Sequence, residues 1–355
     1  RINRENLAKS VFLNKDLRAG DTVKFDMCEI KSPGIGMSPL AFMKLNEKVL
    51  TKDKKSLDPL YESDFEFQST NDKPINFQQK FGIPVRYHDC ETLILEKPYE
   101  LVEFHLSYSD LELKIENYVP ELKNLELVVH APELFKNEHL LDLSSPDLAY
   151  LNKSVTNLKR TIEITHEISE KFPDGGENTK LVVNCGGWST EEFLTIAEKD
   201  SRMDILLETL EKIDLSGIQL LPQTMPPFPW HFGGQRFHNL LVTDVDIKEF
   251  LNRSDFNICF DTSHTMLSAI KSDFDLYGLL TEIKSRVSHY HIVDAKGIYD
   301  EGLQIGEGVI DFKRIFDIMP KTKDVSFIPE IWQGHKNNGK GFDDAFNKIN
   351  KLLDE

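Results

Sequence analysis

The sequence predicts an α/β protein, a closed (β/α)8 TIM barrel preceded by a small, mainly-β domain. Two observations carry the barrel. Eight apolar runs recur from about residue 82 to residue 355, most of them separated by stretches of helical spacing. Nearly every run ends in polar residues of ligand-binding type, and a closed barrel gathers all such ends on one face. An open doubly wound sheet is the competing architecture, and it does not explain those ends.

Residues 1–67 hold short strand-like pieces broken by turn signals: "SVFLNKDLRAGDTV", "KSPGIGMSP" and "SLDPLYESDF". The polar segment 68–81, "QSTNDKPINFQQKF", reads as a linker. The eight runs follow as "IPVRYHD", "LVEFHLS", "LELVVHAPE", "KLVVNCGG", "GIQLLPQ", "FNICFDTSH", "SHYHIVDAK" and "SFIPEIWQG". Between them lie helical stretches such as "DLAYLNKSVTNLKRTIEITHEISEKF" and "DFDLYGLLTEIKSRV", and "GFDDAFNKINKLLDE" closes the chain as a last helix.

The charge narrows the partners. A net charge of −17 over 355 residues repels a polyanion, so nucleic acid is not expected. No run of 18 apolar residues occurs, so no membrane span is expected. The four cysteines are scattered without a CxxC pair and suit a reducing, cytoplasmic setting. The chain begins at Arg1 without a signal-peptide pattern, and a piece of a longer polypeptide is one reading of that start. No P-loop, dinucleotide fingerprint or GxSxG elbow is present.

The strand ends carry Arg86, His88 and Asp89; His105; His130 and Glu133; Asn184; Gln223; Asp261 and His264; His291, Asp294 and Lys296; and Glu330. A lone strand-end histidine is more often structural than a ligand. Asp261, His291 and Glu330, however, end three successive runs, and two carboxylates with an imidazole suit a divalent ion.

In "FDTSH", "HIVDAK", "IGEGVIDF" and "IPE", taken in this order, the chain resembles the xylose-isomerase-like barrels, which include sugar-phosphate isomerases and epimerases and the endonuclease IV type. The resemblance spans roughly 82–355. It implies one divalent metal (Mn, Zn, Co or Fe) held by Gln223, Asp261, His291 and Glu330. It also implies proton transfer beside a carbonyl by two glutamates, of which only Glu330 is present. Gln223 can offer an oxygen but cannot take a proton, so His130, Lys296 or His231 is expected to supply the second group. The substrate-binding candidates are Arg86, His88, His105, Asn184, Trp230, His231, Arg236 and His264. The endonuclease branch fits less well. His130, His264 and Asp300 match its pattern, but Asn184-Cys185 and Gly302 stand where histidines are expected.

After Gln223 comes a loop with three prolines and Trp230, His231, Gln235, Arg236 and His238, which reads as a substrate lid. In the first 67 residues, "RAGDTV", "SPGIGMSP" and "DPLYESDF" resemble the antifreeze-like (SAF, β-clip) domain of sialic acid synthases. That resemblance implies the C-terminal part of a fused N-acetylneuraminate synthase-type protein. A synthase barrel in the same or a neighbouring chain is then the expected partner, with a homodimer as one arrangement. The expected function is a metal-dependent sugar or sugar-phosphate isomerase or epimerase of sialic or nonulosonic acid biosynthesis. A sugar-binding or assembly module that has lost its chemistry is the alternative.

Overall fold

The computed structural model describes residues 9–32, 34, 36–45, 48–61, 64–65, 77–95, 97–175, 178–231 and 234–354, with backbone alone at Trp230, His231, Gly234 and Gln235. The chain divides into two compact units, Arg1–Pro74 and Ile75–Glu355.

In the first unit, Ser10–Leu13 and Cys28–Lys31 pair antiparallel, and Pro39–Lys44 forms one helical turn started by Ser38, whose Oγ accepts from Ala41 N. Val11, Leu13, Leu17, Val23, Met37, Phe42, Leu50 and Leu60 form its core. The motif residues have structural work here. A Cβ on Gly36 would come within 2.8 Å of Leu60 O, so the chain at position 36 can pass that close only as glycine. Asp64 is buried, accepts from Tyr61 N, and pairs with Lys52 and Lys54.

The second unit is a parallel eight-stranded barrel. Its strands are β1 (Lys80–Val85), β2 (Leu101–His105), β3 (Glu126–His130), β4 (Thr179–Val183), β5 (Ile218–Pro222), β6 (Ile258–Asp261), β7 (Val287–His291) and β8 (Ser326–Ile328). Adjacent strands pair in the order β5-β4-β3-β2-β1-β8-β7-β6. The ring closes between β5 and β6 through a bridge at Gln223 and Cys259 and a bond from Thr224 N to Cys259 O of 3.0 Å. The main helices are α1 (Cys90–Ile94), α2 (Leu148–Ser169), α3 (Ile196–Glu211), α4 (Asp244–Arg253), α5 (Thr262–Ser272), α6 (Leu276–Ile283), α7 (Phe312–Ile318) and α8 (Lys336–Asp354, interrupted by non-helical residues at 337–339). Thr195 and Thr243 start α3 and α4 with capping boxes to Glu198 and Asp246.

The strand period of two divides each strand between two cores. Outward residues such as Val102, Phe104, Val129, Leu181, Leu220, Phe260, Tyr290 and Phe327 pack in the large core shared with the helices. Leu101, Val128, Val182, Leu221, Cys259 and Ile328 form a separate apolar layer inside the barrel. Two residues further along each strand, on the same face, stand Glu103, His130, Asn184, Gln223, Asp261 and Glu330. The linker expectation is corrected at its C-terminal end. Phe77 and Phe81 are buried in the barrel core and β1 begins at Lys80, so 77–81 belong to the barrel, while 68–76 lie outside the described residues.

Candidate metal centre

Asp261 ends β6 and starts α5. Its Oδ1 accepts from His264 N (2.8 Å) as the helix N-cap, which leaves Oδ2 buried and without a hydrogen-bond partner. A buried carboxylate oxygen with no donor is costly unless a cation serves it. His291 Nδ1 lies 3.6 Å from that oxygen, 2.7 Å from Glu330 Oε2 and 3.0 Å from the Gln223 amide. One ligand atom from each of Asp261, His291 and Glu330 lies within 4.8 Å of the others. Two carboxylate oxygens and an imidazole nitrogen fit a divalent cation, and the Gln223 amide stands beside them.

Beneath this group lies a buried polar chain that the strand-end pattern does not disclose. His291 Nε2 meets Glu103 at 3.1 and 3.3 Å, His289 Nε2 meets Glu103 at 2.7 Å, and His105 Nε2 stands 3.0 Å from the same carboxylate. His289 Nδ1 is 2.7 Å from Ser326 Oγ, which accepts from Lys180 Nζ (2.8 Å). The hydrogens follow in order: Lys180 donates to Ser326, Ser326 to His289, and His289 to Glu103. Glu103 therefore receives the Nε2 hydrogen of His291 and leaves Nδ1 facing the centre, the arrangement usual for a metal-binding histidine.

The electrostatics agree. Burial pushes the Glu103 carboxyl up, but His291 and His289 outweigh it and hold it well below the usual range. Burial pulls His291 down, yet Cys259, Glu103 and Glu330 raise it well above an ordinary imidazole. Glu330 is held ionised: burial opposes this, but His291, His105 and His130 dominate. Burial lowers His289 to about 4, so it is neutral near pH 7. Burial, then His105, lowers His130.

Above the centre, a cavity of about 290 Å3 opens at the C-terminal ends of the strands, lined by Arg86, His105, His130, Glu133, Gln223, His264, Glu301 and Glu330 with apolar neighbours. Arg86 donates from Nη1 to His105 O (2.6 Å). His264 directs Nδ1 to Thr224 O (3.0 Å) and lies 3.8 Å from Glu301. Burial opposes protonation of His264, but Asp261, Glu301 and Glu330 raise its pKa. Asn184 is buried behind the wall, donating to Glu133 (3.1 Å) and accepting from Gly186 N (3.0 Å).

His88, Lys296 and Arg236 stand apart from this cavity. His88 is largely exposed, 3.7 Å from Asp89. Lys296 is exposed on the hairpin Asp294–Lys296/Asp300–Leu303 and does not line the cavity, which corrects its expected place beside the substrate. That hairpin is fixed by Asp294. Its buried carboxylate accepts from Ala295, Gly306, Gly308 and Ile310 N, which gives the "IGEGVIDF" motif a structural role. Arg236 is half-buried outside the lining set, and the side chains of Trp230 and His231 lie outside the described residues. The far end of the loop expected as a lid is anchored: His238 stacks on Trp188 at 3.6 Å, and Asn239 donates to Gly187 O. Sequence reasoning missed Glu103, His289 and Glu301. The available signal for the first two was period: each lies two residues before an inward strand-end histidine.

Residues 93–352 match the family described as xylose isomerase-like TIM barrel. An uncharacterised protein of Methanocaldococcus jannaschii is 27% identical over 226 residues, 62% of this chain and 69% of its own length. Among solved structures, a D-tagatose 3-epimerase-like protein superposes with a TM-score of 0.52 at 21% identity, covering 78% of this chain and 98% of that one. An L-ribulose 3-epimerase gives 0.51 at 18%, covering 77% and 94%. At such identities the likeness is one of fold. Among the described residues no helix is long and apolar enough to cross a membrane.

Proposed function

We propose that this chain, which belongs to the family of xylose isomerase-like TIM barrels, is a divalent-metal-dependent sugar or sugar-phosphate isomerase or epimerase. The observation that carries this is the Asp261, His291 and Glu330 cluster, whose Glu330, with Gln223, lines a polar cavity sized for a small molecule. The names of the two structural relatives, both sugar 3-epimerases or like one, favour a ketose.

Mn, Zn, Co or Fe held by Asp261, His291, Glu330 and the Gln223 oxygen would polarise a sugar carbonyl and stabilise the charge of an enediolate. The chain's own groups do the rest. Glu330, ionised by its histidine neighbours, takes the proton from the carbon beside the carbonyl. The proton is returned by a carboxyl of the cavity lining, Glu133 or Glu301, because both ring nitrogens of His130 are engaged, Nδ1 with Ala131 O and Nε2 with the Gln223 amide. Arg86, His105 and His264 hold hydroxyl or anionic groups of the substrate. Lys296 has no part in this scheme.

The narrower reading is that the sugar belongs to sialic or nonulosonic acid biosynthesis, with residues 1–67 as an antifreeze-like domain that works beside a synthase barrel. It rests on the N-terminal motifs "RAGDTV", "SPGIGMSP" and "DPLYESDF". Gln223 favours a second reading, a sugar-binding module without turnover, because an amide cannot accept the proton. One experiment separates the two. Protein loaded with Mn is incubated with ketoses and their phosphates in heavy water, and deuterium at the carbon beside the carbonyl is followed by NMR. The proposal expects exchange that Glu330→Gln abolishes and Asp261→Ala loses together with its metal. Metal uptake and sugar binding without exchange would leave the binding module.

A further inference from the structure

Gln223 is placed with Oε1 3.0 Å from His130 Nε2 and Nε2 3.0 Å from His291 Nδ1. The two ends of a carboxamide are nearly isosteric, so its partners must decide which end is which. His130 Nδ1 lies 2.9 Å from Ala131 O, which can only accept, so that nitrogen carries the hydrogen. A neutral His130 then presents a lone pair at Nε2 and needs a donor, not the amide oxygen. On the other side, His291 Nδ1 lies 2.7 Å from Glu330 Oε2, also an acceptor, so without a metal this nitrogen carries a hydrogen too. An amide N–H pointed at it would set donor against donor. Both conflicts disappear when the amide is turned by 180°.

We propose that His130 is a positioning residue: its ring, with the hydrogen on Nδ1, accepts from the Gln223 side-chain NH2 and turns the amide oxygen toward Asp261, His291 and Glu330 as a neutral metal ligand. This rests on the metal reading above. It explains how an amide serves where two carboxylates are already gathered. A third carboxylate needs no orienting because both its ends are oxygens, whereas an amide presents an oxygen only if something holds its NH2 elsewhere. His130 is well placed for this, since its ring packs against both His105, at 4.8 Å between centroids, and His291, at 5.8 Å.

The test is Mn2+ affinity by calorimetry for wild type, His130→Phe, Gln223→Glu and the double variant, with 15N NMR of the imidazoles in the metal-free wild type at pH 7. His130→Phe is expected to weaken Mn2+ binding about 10–100-fold, the usual cost of losing an orienting partner. In the Gln223→Glu background the same change should cost less than about threefold, because either carboxylate oxygen serves. His130 should resonate as the neutral Nδ1–H tautomer. An imidazolium or Nε2–H His130, or an equal loss of affinity in both backgrounds, overturns the proposal. The NMR readout needs neither metal nor a folded variant. If wild type takes up no divalent ion, the metal centre falls while the tautomer still decides the amide orientation.

Discussion

Glu103→Gln is the sharpest probe of the polar chain inside the barrel. The carboxylate is fully buried and is shared by His289 at 2.7 Å, His105 at 3.0 Å and His291 at 3.1 Å. Glutamine keeps the volume and one acceptor, which the His289 N–H can still use. It replaces the other acceptor with an NH2 group that faces the Nε2 hydrogen of His291, and it removes the charge that stabilises the His291 cation. Removing one partner of a buried ion pair costs about 3–5 kcal/mol. The retained acceptor argues for the lower end, about 3 kcal/mol. For a barrel of this size that is a fall in Tm of roughly 6–12 °C. All three tryptophans, Trp188, Trp230 and Trp332, lie in the second unit, so their fluorescence follows barrel unfolding without the N-terminal unit. Thermal and urea melts of wild type and variant, metal-free at pH 7, give the difference directly. A Tm within about 2 °C of wild type would refute the reasoning, because the three histidines would then not depend on that charge.

Two further outcomes are expected. His289 is lowered to about 4 from 6.5, so between those pH values the unfolded chain binds a proton that the folded one does not; its stabilisation is full above pH 6.5 and falls as the pH drops toward 4. That loss amounts to about 3 kcal/mol, and urea midpoints that stay level from pH 7 to 4.5, or that fall equally in His289→Asn, would contradict it. Gly308→Ala places a Cβ 2.2 Å from both Ala295 O and Asp294 Oδ1 and must break the Asp294 clamp, at roughly 3 kcal/mol; a variant that melts with wild type would show that the hairpin tolerates the shift.

The sequence by itself determined the barrel. Eight runs with helical stretches between them left few alternatives, because a parallel strand must be followed by a crossover and the ends must then share a face. Asp261, His291, Glu330 and Gln223 were legible for the same reason: they end strands, and strand ends converge whatever the exact geometry. Lys296 was misplaced because a strand end marks only where the chain leaves the sheet; the turn beyond β7 carries that side chain out to solvent.

Glu103 and His289 were hidden for a different reason. A single polar residue within an alternating run looks like the solvent face of a half-buried strand, and period alone cannot say which face is inside. Only closure of the ring turned that face inward. The tilt of the strands then set Glu103 against His289 and His291, 186 and 188 residues away in the chain. The hydrogens on that network, and with them the orientation of Gln223, depend on distances between strands remote in sequence. Local propensity fixes each strand and its two faces; which polar atoms meet in the barrel's interior is settled by tertiary register, because hydrogen bonds are made between atoms and not between positions in a sequence.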